Sequence, residues 1–428
     1  MRTVNIGLIG LGTVGGGVVD ILHKHAGDFR RHYDLDLRLV RAADRNTERF
    51  EQLGLDPAIC TDDAFAVIAD PQVQLVIELI GGTGIAGEVV AAALKAGKRV
   101  VTANKALMAT SGHELLLEAE ARGVELRFEA SVGGGIPIIE PLKHALTANK
   151  ITDVLGIVNG TTNYMLTHMS GRGLSYDEAL AEAQALGYAE ADPSADVDGL
   201  DAAAKIAILA SIAFHSTVTL DQVHVEGIRG LSAIDVAYAE KMGYTVKLLA
   251  LARLTAAGID IRVHPTMIPS SHQLASVNGV YNAIYVTGDA VGDVMFFGEG
   301  AGAGAAASAV VGDVIEAARA LSEGNTTLGC TCTDEVALRP IEDLETCYYL
   351  RMVVDDKSGV LAQMTAVFAA HDVSLDSIMQ QGVTPEGTAE IIYVTHRARE
   401  EAIRAIRAEL EALESVKDIA ALIRVEEL

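Results

Sequence analysis

Hydrophobic residues recur with two alternating periods over the first third of the chain. Short apolar runs are separated by stretches whose apolar positions lie three or four residues apart, the spacing of an amphipathic helix. The runs predict strands at Val4–Ile9, Leu37–Ala43, Leu75–Leu79, Arg99–Thr102 and Glu125–Phe128. Strands that alternate with helices indicate a parallel sheet with helices on both faces. The pattern therefore predicts a doubly wound α/β domain over residues 1–130.

The rhythm changes after a glycine-rich stretch at Ser131–Pro137. Longer helices and separated strands then predict an α+β domain over residues 131–321. Its strands are expected at Ile151–Val158, Ile259–Met267 and Ala283–Thr287. The apolar helix predicted at Ala305–Leu321 is suited to pack back on the first domain, and residues 322–346 are polar enough to predict a linker.

Residues 347–428 predict a compact unit in the order strand, helix, strand, strand, helix, strand. The strands are expected at Tyr348–Val354, Ser374–Gln381, Ala389–Thr395 and Ile419–Val425, and the helices at Gly359–His371 and Arg399–Leu413. This order is the ferredoxin-like arrangement. With Asp355–Leu361 at its first strand–helix junction the unit resembles an ACT domain, a fold that binds small amino acids. A plain ferredoxin-like dimerisation module is the alternative.

Composition narrows the class of protein. The 428 residues carry a net charge of −25, which repels nucleic acid and anionic lipid, so neither is expected as a partner. No apolar run approaches the ~20 residues of a membrane span. Six glycines between Gly7 and Gly17 argue against a secretory signal. Four cysteines match neither a disulfide framework nor paired C-x-x-C metal spacing, which favours a reducing cytoplasm.

The first predicted strand runs directly into the dinucleotide-binding pattern Gly10-x-Gly12-x-x-Gly15, which a helix follows. Gly10 permits the turn, Gly12 lets a pyrophosphate approach the backbone, and Gly15 lets helix and strand pack closely. Thr13 and Val14 are expected to donate first-turn N–H groups to the phosphate. The N-terminal domain is therefore expected to be a Rossmann-type domain that binds NADP or NAD.

Charged residues after the second strand leave the choice of cofactor open. Asp44 lies where an acid normally accepts hydrogen bonds from the adenosine ribose of NAD, whereas Arg45 or Arg49 is suited to pair with the 2′-phosphate of NADP. We expect both cofactors to be accepted.

The segment from Gly187 to Lys205 concentrates five carboxylates and one lysine around a Gly/Pro turn that leads into an alanine-rich helix. Asp201 and Lys205 are four residues apart with the acid first, so they stack favourably on that helix. A lysine among apolar neighbours is rarely buried without a partner. The density of charge predicts a functional site rather than a surface ion pair.

This segment resembles the signature of homoserine dehydrogenases at every fixed position from Ala183 to Lys205. The resemblance implies that Lys205 is the catalytic acid, that Asp201 is its partner, and that Glu190 contacts the amino group of the substrate. Asp196 is suited to bind that ammonium group or to hold the loop. Gly187 is assigned to the substrate and cofactor site.

Two further segments resemble the same family. Val100–Lys105 places Lys105 just past a parallel strand, where ligands of open α/β sheets bind, and the resemblance assigns it to the nicotinamide and substrate region. Asn159–Asn163 includes Thr162, a predicted substrate contact. Capping of the following helix is an equally good interpretation of these short polar side chains.

Two glycine-rich segments complete the resemblance. Gly298–Gly302 resembles a segment that faces the cofactor through Gly300 and Gly302, although this chain has Glu299 where the family usually has proline and Ala305–Ala306 where it has Pro-Thr.

The stretch Ser131–Pro137, together with the acid before it, resembles a sodium site. The implied ligands are Glu129 and the carbonyls of Val132, Gly134 and Ile136. A glycine loop at a domain junction that needs no metal is the alternative.

Together these features predict an enzyme that reduces L-aspartate 4-semialdehyde to L-homoserine with NADP or NAD as cofactor, Lys205 donating the proton. The central domain is expected to carry substrate binding and dimerisation, in a homodimer or homotetramer. The ACT resemblance implies threonine as an effector. A thiol-dependent semialdehyde dehydrogenase and a non-catalytic nucleotide or amino-acid sensor are the alternatives. Since no kinase-like segment precedes the dehydrogenase pattern, we do not expect a fused bifunctional enzyme.

Overall fold

The computed structural model describes residues 1–323, 329–383 and 387–428. Its first region alternates strands and helices as the hydrophobic pattern predicts. The strands are β1 (Arg2–Ile9), β2 (Leu35–Ala43), β3 (Cys60–Thr61), β4 (Leu75–Glu78), β5 (Arg99–Thr102) and β6 (Leu126–Arg127); the helices are α1 (Thr13–Lys24), α2 (Ala26–Tyr33), α3 (Glu48–Gln52), α4 (Ala64–Ala69), α5 (Ile85–Lys95) and α6 (Lys105–Arg122).

These strands form a parallel sheet in the order β3-β2-β1-β4-β5-β6. The predicted doubly wound sheet is therefore confirmed. The strand order reverses between β1 and β4, and in open α/β sheets the ligand crevice lies at such a switch point, beyond the carboxyl ends of the strands. The glycine loop that follows β1 lies at this point.

The central region combines helices with antiparallel hairpins. Its elements are β7 (Ile151–Ile157), α7 (Gly160–Arg172), α8 (Tyr176–Ala185), α9 (Ser194–Val197), α10 (Leu200–Ala213), β8 (His224–Val225), α11 (Ala233–Lys241), β9 (Tyr244–Thr255), β10 (Gly258–Pro269), β11 (Tyr281–Gly288), β12 (Gly292–Glu299) and α12 (Ala303–Glu323). β9 pairs with β10, and β11 pairs with both β12 and β7, all antiparallel.

The C-terminal region has the predicted ferredoxin-like order. Its elements are β13 (Glu345–Asp355), α13 (Val360–Ala370), β14 (Leu375–Val383), β15 (Thr388–Thr395), β16 (Ala398–Arg399), α14 (Glu400–Glu411) and β17 (Val416–Val425). The sheet order is β17-β13-β15-β14, and each neighbouring pair is antiparallel. Tyr348, Leu350, Phe368 and Tyr393 lie in the core between this sheet and its helices.

The chain divides into two compact units that interleave along the sequence. The first comprises residues 1–158, 204–223 and 281–336, and the second comprises residues 159–203, 224–280 and 337–428. The domain boundaries at residues 130, 321 and 346 stay a prediction. Residues 324–328 of the predicted linker lie outside the described residues.

Helix α12 completes the core of the first unit. Ala307, Val310 and Val314 are fully buried in the same cluster as Ile6 and Leu8 of β1. The strands of a parallel sheet are apolar on both faces and need helices on both. The α12 helix is therefore part of the Rossmann-type core, although it follows β1 by some 300 residues of chain.

In the second unit, the C-terminal region continues the sheet of the central region. β17 pairs in parallel with β10 through Thr266–Arg424 and Met267–Val425. Arg351 of β13 donates to both carboxylate oxygens of the fully buried Asp235 in α11, at 2.6 and 3.0 Å. The ACT-like fold is therefore joined to the central region by backbone pairing and a buried ion pair. Among the helices that the structure describes, none has the length and apolarity needed to cross a bilayer.

Candidate active site

Each glycine of the predicted cofactor loop meets a different local requirement. Gly10 has φ +97°, and a Cβ there would lie 2.6 Å from the carbonyl oxygen of Leu79. A Cβ on Gly15 would overlap the carbonyl oxygen of Gly10, whereas a Cβ on Gly12 would meet nothing within 4 Å. Gly10 and Gly15 are therefore required by packing. Gly12 keeps the backbone open on the side from which a phosphate would approach.

Helix α1 begins at Thr13 and ends the loop. Its N-cap residue, Gly12, has no side chain to accept the first-turn N–H groups, so these donors suit an anion. Thr13 is exposed, whereas Val14 packs partly against the core of the first unit. The two residues predicted as phosphate donors therefore offer backbone N–H groups rather than side chains.

Asp44 and Arg49 hold the glycine loop from the end of β2 and from α3. Asp44 accepts hydrogen bonds from the Leu11 N–H at 2.6 Å and from the Asn46 N–H at 2.8 Å. Arg49 Nε donates to the carbonyl oxygen of Leu11 at 2.8 Å. Arg45, by contrast, is exposed. Of the two candidate arginines, Arg45 points to solvent beside the site and Arg49 is used to fix the loop.

A buried polar network that the sequence interpretation did not include positions Lys105. Glu78, at the end of β4, is fully buried and accepts from the Thr102 hydroxyl at 2.7 Å. That hydroxyl accepts from the Asn104 N–H at 3.0 Å, and the Asn104 amide donates to the carbonyl of Gly82 at 2.6 Å. Asn104 also caps α6, whose first residue is Lys105. In the sequence, the only sign of this network is that an acidic residue, Glu78, stands at the end of the apolar run of β4.

Asn159 connects two of the predicted carboxylates. Its Nδ2 donates to Asp196 at 2.7 Å and to Asp201 at 2.9 Å. Its Oδ1 accepts from the N–H and the hydroxyl of Thr162, at 2.9 and 2.8 Å, and so caps α7. Thr162 is buried. The capping role is thus present, and the same side chain joins the two carboxylates, a role that the sequence interpretation did not assign to Asn159.

The catalytic candidates lie on helix α10 and on the turn before it. Lys205 is 8% exposed, and its Nζ donates to the backbone carbonyl of Val158 at 2.6 Å. Asp201 lies one helical turn earlier and is also buried. Gly187 adopts φ +76° after α8, and Glu190 is exposed on the following loop. A lysine held with its charge almost out of water is suited to interact with a developing negative charge.

Glu129, the predicted ion ligand, is buried and already organises the chain that follows it. Its carboxylate accepts from the N–H groups of Ile138, Ile139 and Glu140 at 2.6, 2.8 and 2.7 Å. Burial raises the pKa of this carboxyl above its usual value, against the effect of the three hydrogen bonds. The Glu129 N–H in turn donates to Asp313 of α12 at 2.8 Å.

The second glycine segment packs against the loop of the predicted ion site. A Cβ on Gly134, whose φ is +56°, would overlap the carbonyl of Gly300, and the Gly135 N–H donates to the Glu299 carbonyl at 3.2 Å. Gly302 adopts φ +118°. Because the contact uses the Glu299 backbone, the departure from proline at this position is compatible with the packing.

Comparison with known proteins agrees with these features. Residues 10–129 match the family model "Homoserine dehydrogenase, NAD binding domain", residues 137–315 match "Homoserine dehydrogenase", and residues 348–415 match "ACT domain". The chain is 47% identical over 433 residues to the homoserine dehydrogenase of Synechocystis sp., with 99% of each chain covered. The chain belongs to the homoserine dehydrogenase family. It is 43% identical to the Pseudomonas aeruginosa member over the whole of both chains.

Solved structures give the same result. The crystal structure of a homoserine dehydrogenase from Thiobacillus denitrificans has a TM-score of 0.94 and 42% identity, covering 100% of this chain and 99% of that one. A hyperthermophilic archaeal homoserine dehydrogenase, solved in complex with NADPH, has a TM-score of 0.65 and 28% identity, covering 76% of this chain and 100% of that one.

Family membership confirms the predicted fold class, the resemblance to homoserine dehydrogenases and the predicted enzyme class. The protein is an oxidoreductase with an NAD-binding domain and a C-terminal ACT domain. The thiol-dependent dehydrogenase and the non-catalytic sensor are therefore rejected as alternatives.

Proposed function

We propose that this homoserine dehydrogenase uses Lys205 as the proton donor when the carbonyl of L-aspartate 4-semialdehyde is reduced. The supporting observation is the buried Nζ of Lys205, held at 2.6 Å from the Val158 carbonyl. NAD(P)H, when bound, supplies the hydride. Lys205 stabilises the negative charge on the substrate oxygen, transfers its proton to it, and recovers a proton from solvent.

Asp196 and Asp201 would act as a pair oriented by Asn159. Each carboxylate accepts one N–H of the same amide, so the two cannot rotate independently. In this proposal Asp201 supports the charged form of Lys205, whereas Asp196 and the exposed Glu190 attract the substrate ammonium group. Lys105, at the start of α6, attracts the substrate carboxylate or assists the proton transfer.

Steady-state kinetics of Lys205→Ala test the assignment. We expect kcat to fall by at least 100-fold, because one positioned proton donor contributes about 10²–10⁴-fold, while the Kd of NADPH stays within about twofold. Lys150→Ala, at an exposed lysine, is the matched control and should keep its turnover. Unchanged turnover of Lys205→Ala would exclude the proposed role.

We propose that both NAD and NADP are accepted, with Arg45 favouring the phosphorylated form. Arg45 is exposed beside Asp44, and Arg49 is committed to the Leu11 carbonyl. Arg45→Ala is expected to raise the KM for NADPH by about tenfold, the loss of roughly one charge-assisted hydrogen bond, and to leave the KM for NADH unchanged. Equal changes for the two cofactors would contradict this role.

We propose that the loop around Glu129 binds a sodium ion, together with the carbonyls of Val132, Gly134 and Ile136. The residues fit a monovalent cation because the Glu129 carboxylate is buried next to a glycine-rich loop whose backbone supplies further oxygen atoms.

Glu129 lies beside a second buried carboxylate, because its N–H donates to Asp313 of α12 at 2.8 Å. Hard cations prefer such oxygen ligands. The thermal midpoint is expected to be several degrees higher in NaCl than in tetramethylammonium chloride of equal ionic strength. The same midpoint in both salts would count against the ion.

We propose threonine as the effector of the ACT domain, near the Asp355–Gly359 junction. Deleting the domain is a poor test, because it would unpair β10 and leave Asp235 buried without Arg351. Asp356→Ala in the full chain should instead weaken inhibition by threonine, while Asp418→Ala, at an exposed acid of the same domain, should not. Equal threonine inhibition of the wild type and Asp356→Ala would refute this location.

We propose that the protein forms a homodimer or homotetramer through the hairpin of β11 and β12. Tyr281 and Phe297 stack on each other at this hairpin while remaining 42% and 55% exposed. Light scattering should therefore give at least twice the mass of one chain, and Phe297→Asp should lower it. A monomeric wild type would overturn the proposal.

We also infer that the protein works in a reducing, cytoplasmic environment, because the number and spacing of its cysteines do not suit a disulfide framework. Cell fractionation would test this location.

A further inference from the structure

Three potential metal ligands from distant parts of the chain meet in the first unit. His113 lies on α6, and Cys330 and Cys332 lie on the segment 329–336. The His113 Nδ1 and the Cys330 Sγ are 3.3 Å apart, although 217 residues separate them in the sequence. The three ligand atoms all lie within 4.8 Å of one another. These residues are called the His–Cys–Cys cluster below.

The separations are close to those around a tetrahedral soft cation. Zinc, with Zn–S of about 2.3 Å and Zn–N of about 2.0 Å, separates two sulfur ligands by about 3.8 Å and a sulfur from a nitrogen by about 3.5 Å. The His113–Cys330 distance of 3.3 Å nearly matches the second value. The remaining separations need at most small side-chain rotations.

We propose that His113, Cys330 and Cys332 bind a soft divalent metal ion of the zinc class. Thiolate and imidazole ligands in tetrahedral geometry select such ions over magnesium or calcium. The ion would cross-link α6 to the segment 329–336. None of the three residues belongs to the glycine loop or to the carboxylate and lysine candidates, so the role is structural and separate from hydride transfer.

Both sides of the cluster are held in place by the backbone. The Cys330 N–H donates to Glu120, two turns beyond His113 on α6. Beyond Cys332, the Asp334 N–H donates to the His215 carbonyl at 2.8 Å, and Asp334 forms a bridge with Ser216. The two cysteines are therefore positioned before any ion binds, which lowers the cost of binding.

The surroundings leave room for one small further ligand. His113 and Cys332 line a cavity of about 60 Å³. Its other walls include apolar side chains of α6 and α10, among them Met108 and Ile208. This volume suits water rather than a substrate, so the fourth ligand would be water. Lys143 is close enough to interact electrostatically with Cys330 and Cys332, so a bound metal ion would compete with it for the two sulfur atoms.

Cobalt and zinc titrations of the full-length protein, purified and dialysed against a chelator under reducing conditions, test the site. We expect Co²⁺ to bind with one ion per chain and to give thiolate-to-cobalt charge-transfer absorption, which Zn²⁺ then abolishes by displacement. Cys330→Ser, Cys332→Ser and His113→Asn should each weaken Zn²⁺ binding by at least 10-fold. Cys60→Ser and Cys347→Ser are the matched controls and should bind as the wild type does.

Several outcomes would overturn the proposal. They are the absence of charge-transfer absorption in the wild type, binding that survives the three cluster variants, and binding that is equally lost in the two control variants. Formation of a Cys330–Cys332 disulfide that metal does not prevent would likewise show a redox pair rather than a metal site. Since turnover is not the readout, failure of the Lys205 assignment leaves this result unaffected.

Discussion

Substituting the three loop glycines one at a time should separate cofactor binding from folding. At Gly12 the backbone angles are φ −64° and ψ −154°, and an added Cβ meets nothing within 4 Å. Gly12→Ala is therefore expected to change the free energy of unfolding by less than about 1 kcal/mol, the range of N-cap substitutions that lose no hydrogen bond. Its methyl group would occupy the side open to the pyrophosphate.

The expected loss of affinity follows from the hydrogen bonds that a displaced phosphate gives up. A bond from a backbone N–H to a charged group is worth about 1.5–3 kcal/mol. Gly12→Ala should therefore raise the Kd of NADPH by about 10- to 100-fold. Gly15→Ala differs because its Cβ would overlap the Gly10 carbonyl. Gly15→Ala would therefore push α1 away from the loop and should lower the free energy of unfolding by about 1–3 kcal/mol.

The assay pairs thermal unfolding without cofactor with fluorescence titration of NADPH. Gly27→Ala is the control: it lies inside α2, and its Cβ would meet nothing within 4 Å, so stability should rise slightly and the Kd stay unchanged. The reasoning fails if Gly12→Ala lowers the thermal midpoint as much as Gly15→Ala does while binding NADPH normally.

Three further predictions concern buried polar groups. Asn159→Ala should raise the KM for homoserine by at least tenfold, because two carboxylates lose a shared hydrogen-bond donor. The Kd of NADPH should change little. The same KM for homoserine in the variant and the wild type would refute this prediction. Burial holds the pKa of His264 well below 6.5, and the positive charges of Arg424 and Arg262 lower it further. The His264 Nε2 already accepts a hydrogen bond from Arg262. The unfolded chain binds that proton near pH 6.5, so urea stability should be full above pH 6.5 and fall as the pH drops, less steeply in His264→Gln. Arg351→Met should lower the free energy of unfolding by about 3–5 kcal/mol, because Asp235 stays buried without its ion-pair partner, and adding Asp235→Leu should recover most of this loss in urea unfolding.

Local patterns predicted the elements of this fold well. The strand β1, the glycine loop and the helix α1 follow from an apolar run and three glycines, and the order of strands and helices after residue 345 predicted the ferredoxin-like fold. These features succeed because backbone geometry depends mainly on neighbours within a few residues. The helix that carries Lys205 was likewise predicted from its apolar neighbours.

Contacts between distant segments were not accessible in the same way. From the sequence, Glu78 is the end of a strand and Asn159 is a helix cap. Only the structure shows that Glu78 supports the loop before Lys105. Only the structure shows that Asn159 joins Asp196 to Asp201. Glu129 was assigned to an ion, and the structure adds its bonds to three backbone N–H groups.

The amino-acid sequence by itself determined the family, the α/β and ferredoxin-like folds, and the chemistry available on each element. The tertiary structure decided which side chains meet. His113 and Cys330 are 217 residues apart, yet lie 3.3 Å from each other, and α12 completes a core begun by β1. The physical reason is that periodicity reports which face of an element is buried, whereas the partner of that face is selected by packing of the whole chain.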